Sequence, residues 1–230
     1  MNILITGSNR GIGLEFVRQY AEAGETIHAC CRKPEKADKL KQLAQVSDRI
    51  KIHILDVTHQ DSVDQIAHVL KDTPIDLLIN NAGISGNQER QNINDMDYDS
   101  WAKTLAINSM APLRMIQAFQ PHLKKSGSGA KIITISSLVG ALNHKMGGDY
   151  AYRSSKAAIN KIMQLIAIDF EKDGIIACPV HPGWVRTDMG GYNADISVEE
   201  SVTGLRQVIN KLTIQDSGRF WQYDGKELDW

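Results

Sequence analysis

Asn2-Ile3-Leu4-Ile5-Thr6-Gly7-Ser8-Asn9-Arg10-Gly11-Ile12-Gly13 is a short apolar run with β-branched residues that breaks into a glycine turn. Beyond it, Ile12, Phe16, Val17 and Tyr20 recur at helical spacing, so the turn sits at a strand-to-helix junction. Glycines there let the backbone turn tightly and let a phosphate reach the exposed N–H groups of the helix start. Gly7, Ser8, Arg10, Gly11, Ile12 and Gly13 are therefore candidates for a pyrophosphate cradle. The spacing is Gly-x-x-x-Gly-x-Gly, not the Gly-x-Gly-x-x-Gly of the commonest dinucleotide fingerprint.

The alternation continues outward. Strand-like 26–31, helix-like 35–46, strand-like 50–55, helix-like 60–70 and strand-like 75–80 follow with short links. Helical patterns at about 98–108 and 109–124 lead through Ser126-Gly127-Ser128-Gly129 to a strand at 131–135. A long helix over 150–173, a strand at 175–180, a helix around 197–212 and a strand near 219–223 complete the chain. Strands and helices in this order imply an α/β fold, a parallel sheet covered on both faces with right-handed crossovers. No repeat or linker interrupts it, and residues 1–230 read as one domain.

Composition narrows the partner. The chain has 230 residues, 42% of them hydrophobic, and a net charge of -1. No global field attracts nucleic acid or anionic membrane, and a small molecule is the expected ligand. No apolar run approaches the roughly 20 residues of a membrane span, and the N-terminus leaves no room for a signal peptide. Cys30, Cys31 and Cys178 form neither a disulfide framework nor a zinc spacing, and read as buried thiols in a reducing cytoplasm. The seven histidines show no metal-ligand spacing.

At the end of the second strand, where an acid usually holds the adenosine ribose, the sequence has Cys31-Arg32-Lys33. Arg32, with Arg10 in the glycine turn, could bracket a 2′-phosphate in two-pronged fashion, which favours NADPH over NADH; the alternative is two solvated surface groups. Asp56 and Val57 follow the third strand, and Asn81, Ala82 and Gly83 the fourth, at carboxyl ends where open α/β sheets bind ligands. An acid there can accept from an adenine amino group, although Asp and Asn are also favoured in turns and caps. Ser136 and Ser137 follow the fifth strand; Pro182-Gly183 after the sixth would swing Val185 and Thr187 back over the crevice to hold a carboxamide.

Tyr152-Arg153-Ser154-Ser155-Lys156 sets a phenol and an ammonium on one helix face. A neighbouring positive charge favours the ionised phenol, making the pair a candidate acid/base, and a snorkelling lysine on an amphipathic helix is the plainer alternative.

In this order, the glycine turn, Asn80-Asn81-Ala82-Gly83, Asn108, Ser137, Tyr152 with Lys156, and Pro182-Gly183 with Thr187 resemble the short-chain dehydrogenase/reductase family over essentially the whole chain. His181 to Gly191, Ser197 to Val202 and Tyr223-Asp224-Gly225-Lys226 are similar to the C-factor and sniffer-type carbonyl reductases. The resemblance implies a doubly wound Rossmann domain with a parallel seven-stranded sheet of order 3-2-1-4-5-6-7. It implies Asn108, Ser137, Tyr152 and Lys156 as catalytic residues. Ser137 and Tyr152 would bind the carbonyl and Tyr152 would pass its proton, while Lys156 would lower the tyrosine's pKa and hold the nicotinamide ribose. Asn108 would fix a water that links Lys156 to solvent. The expected activity is NADPH-dependent reduction of small aldehydes and ketones. The alternatives are an NAD-dependent alcohol or hydroxysteroid-type dehydrogenase and a C-factor-like signalling protein on a nucleotide-binding fold. Only a short segment separates Thr187 from the next helix, which predicts an open site with a broad substrate range. Apolar residues on more than one face of the 150–173 helix (Ile159, Ile162, Met163, Ile166 and Phe170) predict a homodimer or homotetramer.

Overall fold

A computed structural model describes all residues 1–230. Its strands are β1 (Asn2–Thr6), β2 (Thr26–Cys31), β3 (Ile50–Ile54), β4 (Leu77–Asn80), β5 (Lys131–Ile135), β6 (Ile176–His181), β7 (Phe220–Gln222) and β8 (Glu227–Leu228). They form one sheet of order β3-β2-β1-β4-β5-β6-β7-β8. Every pairing from β3 to β7 is parallel, as expected for strands joined by crossover helices. The eighth strand is an addition to the expected seven. The turn around Gly225 folds the C-terminal segment back so that β8 pairs antiparallel with β7, which covers that edge of the sheet.

The helices are α1 (Gly11–Glu22), α2 (Asp38–Val46), α3 (Gln60–Val69), α4 (Tyr98–Leu105), α5 (Ala111–Ser126), α6 (Tyr150–Asp169) and α7 (Val198–Lys211). Because alternate strand residues point to opposite faces, the sheet feeds two cores. Ile3, Ile5, Leu77, Ile79, Ile133 and Ile135 pack against α1, α2 and α7; Leu4, Leu78 and Ile132 pack against α3, α5 and α6. The three cysteines are free and buried. No helix is long and apolar enough to cross a membrane.

Two helix details depart from the sequence pattern. The two predicted helices between 98 and 124 are joined by one π turn, Ala106–Met110, which carries Asn108; such bulges recur at functional sites. Ile159, Met163 and Ile166 of α6 and Phe170 just after it, expected to contribute an apolar face to a subunit contact, lie in the core with Ile162 half-buried beside them. The helix leaves Leu165 and Ile168 exposed instead.

Candidate active site

The glycine turn joins β1 to α1 under tight steric limits. A Cβ on Gly13 would lie 2.3 Å from the Gly7 carbonyl oxygen, and Gly7 itself, at φ +68°, rests against the Ala82 backbone. Asn81 holds the turn to β4: its Nδ2 donates to the carbonyls of Thr6 and Gly7 at 2.9 and 3.1 Å. The N–H groups of Asn81 and Ala82 both donate to the Thr6 hydroxyl. Ser8 is turned inward, its hydroxyl donating to Ile5 O and its N–H to Cys30 O. Helix α1 starts with no side-chain cap and no acid in its first turn, so its leading N–H groups and dipole are left to an anionic ligand. A dinucleotide pyrophosphate fits this cradle.

At the adenosine end, Arg32 is exposed beside Asp56, and Val57 is buried behind them. One Asp56 oxygen accepts from both the N–H and the hydroxyl of Thr58, the turn role that its residue type allows. Burial works to raise the Asp56 pKa, but the Thr58 hydrogen bonds win and hold it below the usual carboxylate range, with the charge of Arg32 adding to them. Arg10 pairs with Asp188 at 2.7 Å; as an exposed pair it can exchange that partner for a phosphate at small cost. Thr187 reaches the turn from the other side, its methyl 3.5 Å from where a Gly11 Cβ would stand. Val185 is buried next to Ile196, and the intervening segment folds back on itself through Arg186 N–H to Ile196 O.

Ser137, Tyr152 and Lys156 converge where β5 ends and α6 begins. The two serines part as strand alternation requires: Ser136 donates to Asn160 inside the core, and the Ser137 hydroxyl accepts from Val139 N–H at 3.4 Å on the side of the strand that faces the Tyr152 phenol. Gly140 lets α6 approach this closely, since a Cβ there would lie 2.6 Å from Lys156 Cβ. Lys156 is buried, its Nζ donating to Ile135 O at 2.8 Å and standing 5.6 Å from the centre of the Tyr152 ring. Gly83 faces both Lys156 and Asn108, within 3.8 Å of Nζ and 3.3 Å of Oδ1 for a Cβ at that position.

Burial pushes the Tyr152 phenol above its ordinary value; the Ser137 hydroxyl near it opposes this, and the Asp149 carboxylate adds to it. Burial pushes Lys156 down to about 8. Desolvation is the leading cause for both groups, and Nζ of Lys156 is aimed at the Ile135 carbonyl of β5.

Asn108 sits in the π turn with its side chain engaged on two sides. Both Nδ2 hydrogens are spent, on Ile84 O and Ser155 Oγ, and Oδ1 accepts from Ile84 N–H. The side chain anchors two neighbours. Ser155 was not singled out by the sequence pattern, although it lies on the same helix turn as Tyr152. Gln91 was also missed, and nothing in its polar loop marks it.

A glycine turn shaped for a phosphate on the first βα unit, with a tyrosine and a buried lysine at the carboxyl end of the sheet, suits nucleotide-dependent oxidation and reduction; the class is that of the NAD(P)-dependent oxidoreductases. Within that class the chain belongs to the short-chain dehydrogenase family, whose sequence model, described as short chain dehydrogenase, matches residues 1–196. The C-signal protein of Myxococcus xanthus is 41% identical over 158 residues, 68% of this chain and 93% of that protein. NADPH-bound carbonyl reductase from chicken fatty liver superposes with a TM-score of 0.93 at 37% identity, covering 100% of this chain and 98% of that one. The carbonyl reductase Sniffer of D. melanogaster gives 0.92 at 34% identity, covering 100% and 99%.

Proposed function

We propose that the protein is an NADPH-dependent carbonyl reductase acting on small aldehydes and ketones. The observation that carries this reading is the placement of Lys156, its Nζ 5.6 Å from the Tyr152 ring centre and facing Gly83, with Ser137 on the same side at the carboxyl end of β5. Bound in this cradle, NADPH would supply the hydride that the carbonyl carbon accepts. The chain's own part is at the oxygen. Ser137 and Tyr152 donate hydrogen bonds to it, meeting the charge that grows there with donors already in position, and Tyr152 gives up its proton as general acid. The raised phenol pKa keeps that proton in place at neutral pH. Lys156 supplies positive charge behind the phenol and a donor for the ribose hydroxyls. Gly7, Gly11, Ile12 and Gly13 cradle the pyrophosphate; Val57, Ala82 and Gly83 line the cofactor's path; Val185 and Thr187 hold the carboxamide.

The carbonyl reductases that share this fold at 37% and 34% identity support the reaction, the first of them having been solved with NADPH. The loops around the site carry exposed Leu142, Met146, Trp184, Met189 and Tyr192, an apolar rim suited to substrates with hydrocarbon substituents. Turnover of a panel of aldehydes and ketones is the test. Several should be reduced with NADPH; strict preference for one compound would count against a broad site, and no turnover at all would remove the reading.

Cofactor choice falls to Arg32 and Arg10. Arg32→Ala is expected to weaken NADPH binding about tenfold, the loss of one two-pronged phosphate contact, and to leave NADH binding unchanged. Equal losses for both cofactors, measured by nicotinamide fluorescence, would show that Arg32 does not read the 2′-phosphate.

A further inference from the structure

Helix α6 begins without a cap of its own. Asp149, the residue before it, has a left-handed backbone with φ 50° and makes no side-chain hydrogen bond to the first turn. The orphan N–H groups of that turn go instead to Gln91, a buried residue in the link between β4 and α4. Gln91 O accepts from Tyr150 N–H at 3.3 Å, and Gln91 Oε1 accepts from Tyr152 N–H at 3.2 Å. Its Nε2 donates to Ser85 O at 3.0 Å.

These bonds close a circuit. Ser85 follows Ile84, which Asn108 grips through both its N–H and its carbonyl. Asn108 also donates to Ser155 Oγ at 2.9 Å, and Ser155 Oγ donates to Tyr152 O at 2.7 Å. The peptide N–H and the carbonyl of Tyr152 are therefore held from opposite sides, one through Gln91 and one through Ser155. An ordinary N-cap would fix only the helix end. This one, 61 residues away in sequence, fixes the helix start against the segment that begins at Gly83, beside Lys156.

We propose that Gln91 is a positioning residue for Tyr152: by capping α6 from the β4–α4 link it sets where the phenol stands relative to Ser137 and to the cofactor side of the crevice. The claim rests on the reading of Tyr152 as general acid, and its consequences for rate follow from the sensitivity of catalysis to displacements of about 1 Å.

Three variants test it: Gln91→Met, which keeps the length and removes both side-chain bonds; Gln91→Glu, which keeps the acceptor at the helix start where a carboxylate is favoured; and Ser155→Ala, which opens the circuit on the other side. Gln91→Met should lower kcat with NADPH and one good aldehyde by about tenfold or more, while the NADPH dissociation constant stays within about twofold. Amide hydrogen exchange at Tyr150 and Tyr152 should quicken, Gln91→Glu should recover most of kcat, and adding Ser155→Ala to Gln91→Met should cost less than the product of the single losses. An unchanged kcat, exchange as slow as in the parent, no recovery with Glu, or fully multiplicative losses would each overturn the proposal. Should Gln91→Met fail to fold, Gln91→Glu and Ser155→Ala carry the same comparison. Should the parent protein reduce no carbonyl, the proposed function falls, and exchange at the two amides still decides whether Gln91 holds the helix.

Discussion

Tyr152→Phe is expected to lower kcat for carbonyl reduction by about 10²–10⁴-fold, the range general acid catalysis supplies, with NADPH affinity essentially unchanged. The substitution removes one oxygen from a half-buried ring. Its phenol makes no hydrogen bond that the fold depends on, and the rest of the ring keeps its place beside the Lys156 ammonium. Stability should therefore change little, and the loss should appear in the chemical step. Single-turnover rates with saturating NADPH check this. A variant within about twofold of the parent would mean that the proton comes from elsewhere, since even a modest general acid contributes more than that. The same variant separates catalysis from a purely nucleotide-binding role, because it leaves the cradle intact.

Lys156→Met should have two opposite effects. Reduction should fall steeply, as the charge behind the phenol and the donor to the ribose are lost. The cofactor-free protein should become more stable, because the lysine is buried with a carbonyl as its hydrogen-bond partner and no carboxylate paired to it. The sign of the pH dependence follows from its depressed pKa. With values of 10.5 unfolded and about 8 folded, the folded chain binds fewer protons than the unfolded one between these limits, so stability rises with pH across that window. Below pH 8 the buried ammonium carries its full penalty, on the order of 3 kcal/mol from the size of the shift. The gain from Lys156→Met should be of that order near neutral pH and should vanish above 10.5. Thermal melts of both proteins from pH 7 upward measure it, and a gain that did not shrink with rising pH would show that packing, not charge, was responsible. The same titration should appear in the parent's rate. With the phenol pKa raised, the alkaline limb of reduction belongs to the lysine and should fall through a value near 8.

Much of this site was legible before folding. Glycine spacing at 7, 11 and 13 after an apolar strand states a turn that only a small backbone can make, and the structure puts a Gly13 Cβ almost onto Gly7 O. The period of four between Tyr152 and Lys156 states a shared helix face, and strand alternation separates Ser136 from Ser137. Gln91 was not legible, because its partners lie at Ser85, Tyr150 and Tyr152 and no local pattern records a contact across 61 residues. The apolar residues of α6 misled for a related reason: periodicity shows which residues are hydrophobic but not whether sheet or subunit covers them.

Order along the chain fixes the alternation of strands and helices, the glycine turn after β1 and the shared helix face of Tyr152 and Lys156, since each is a matter of local spacing. The antiparallel eighth strand, the inward turn of Ser8, the commitment of Asn108 to Ile84 and Ser155, and the direction in which Tyr152 and Lys156 titrate came from the folded chain. Each of these depends on which distant groups surround a side chain and how far water is excluded from it, and burial is a property of the packed molecule.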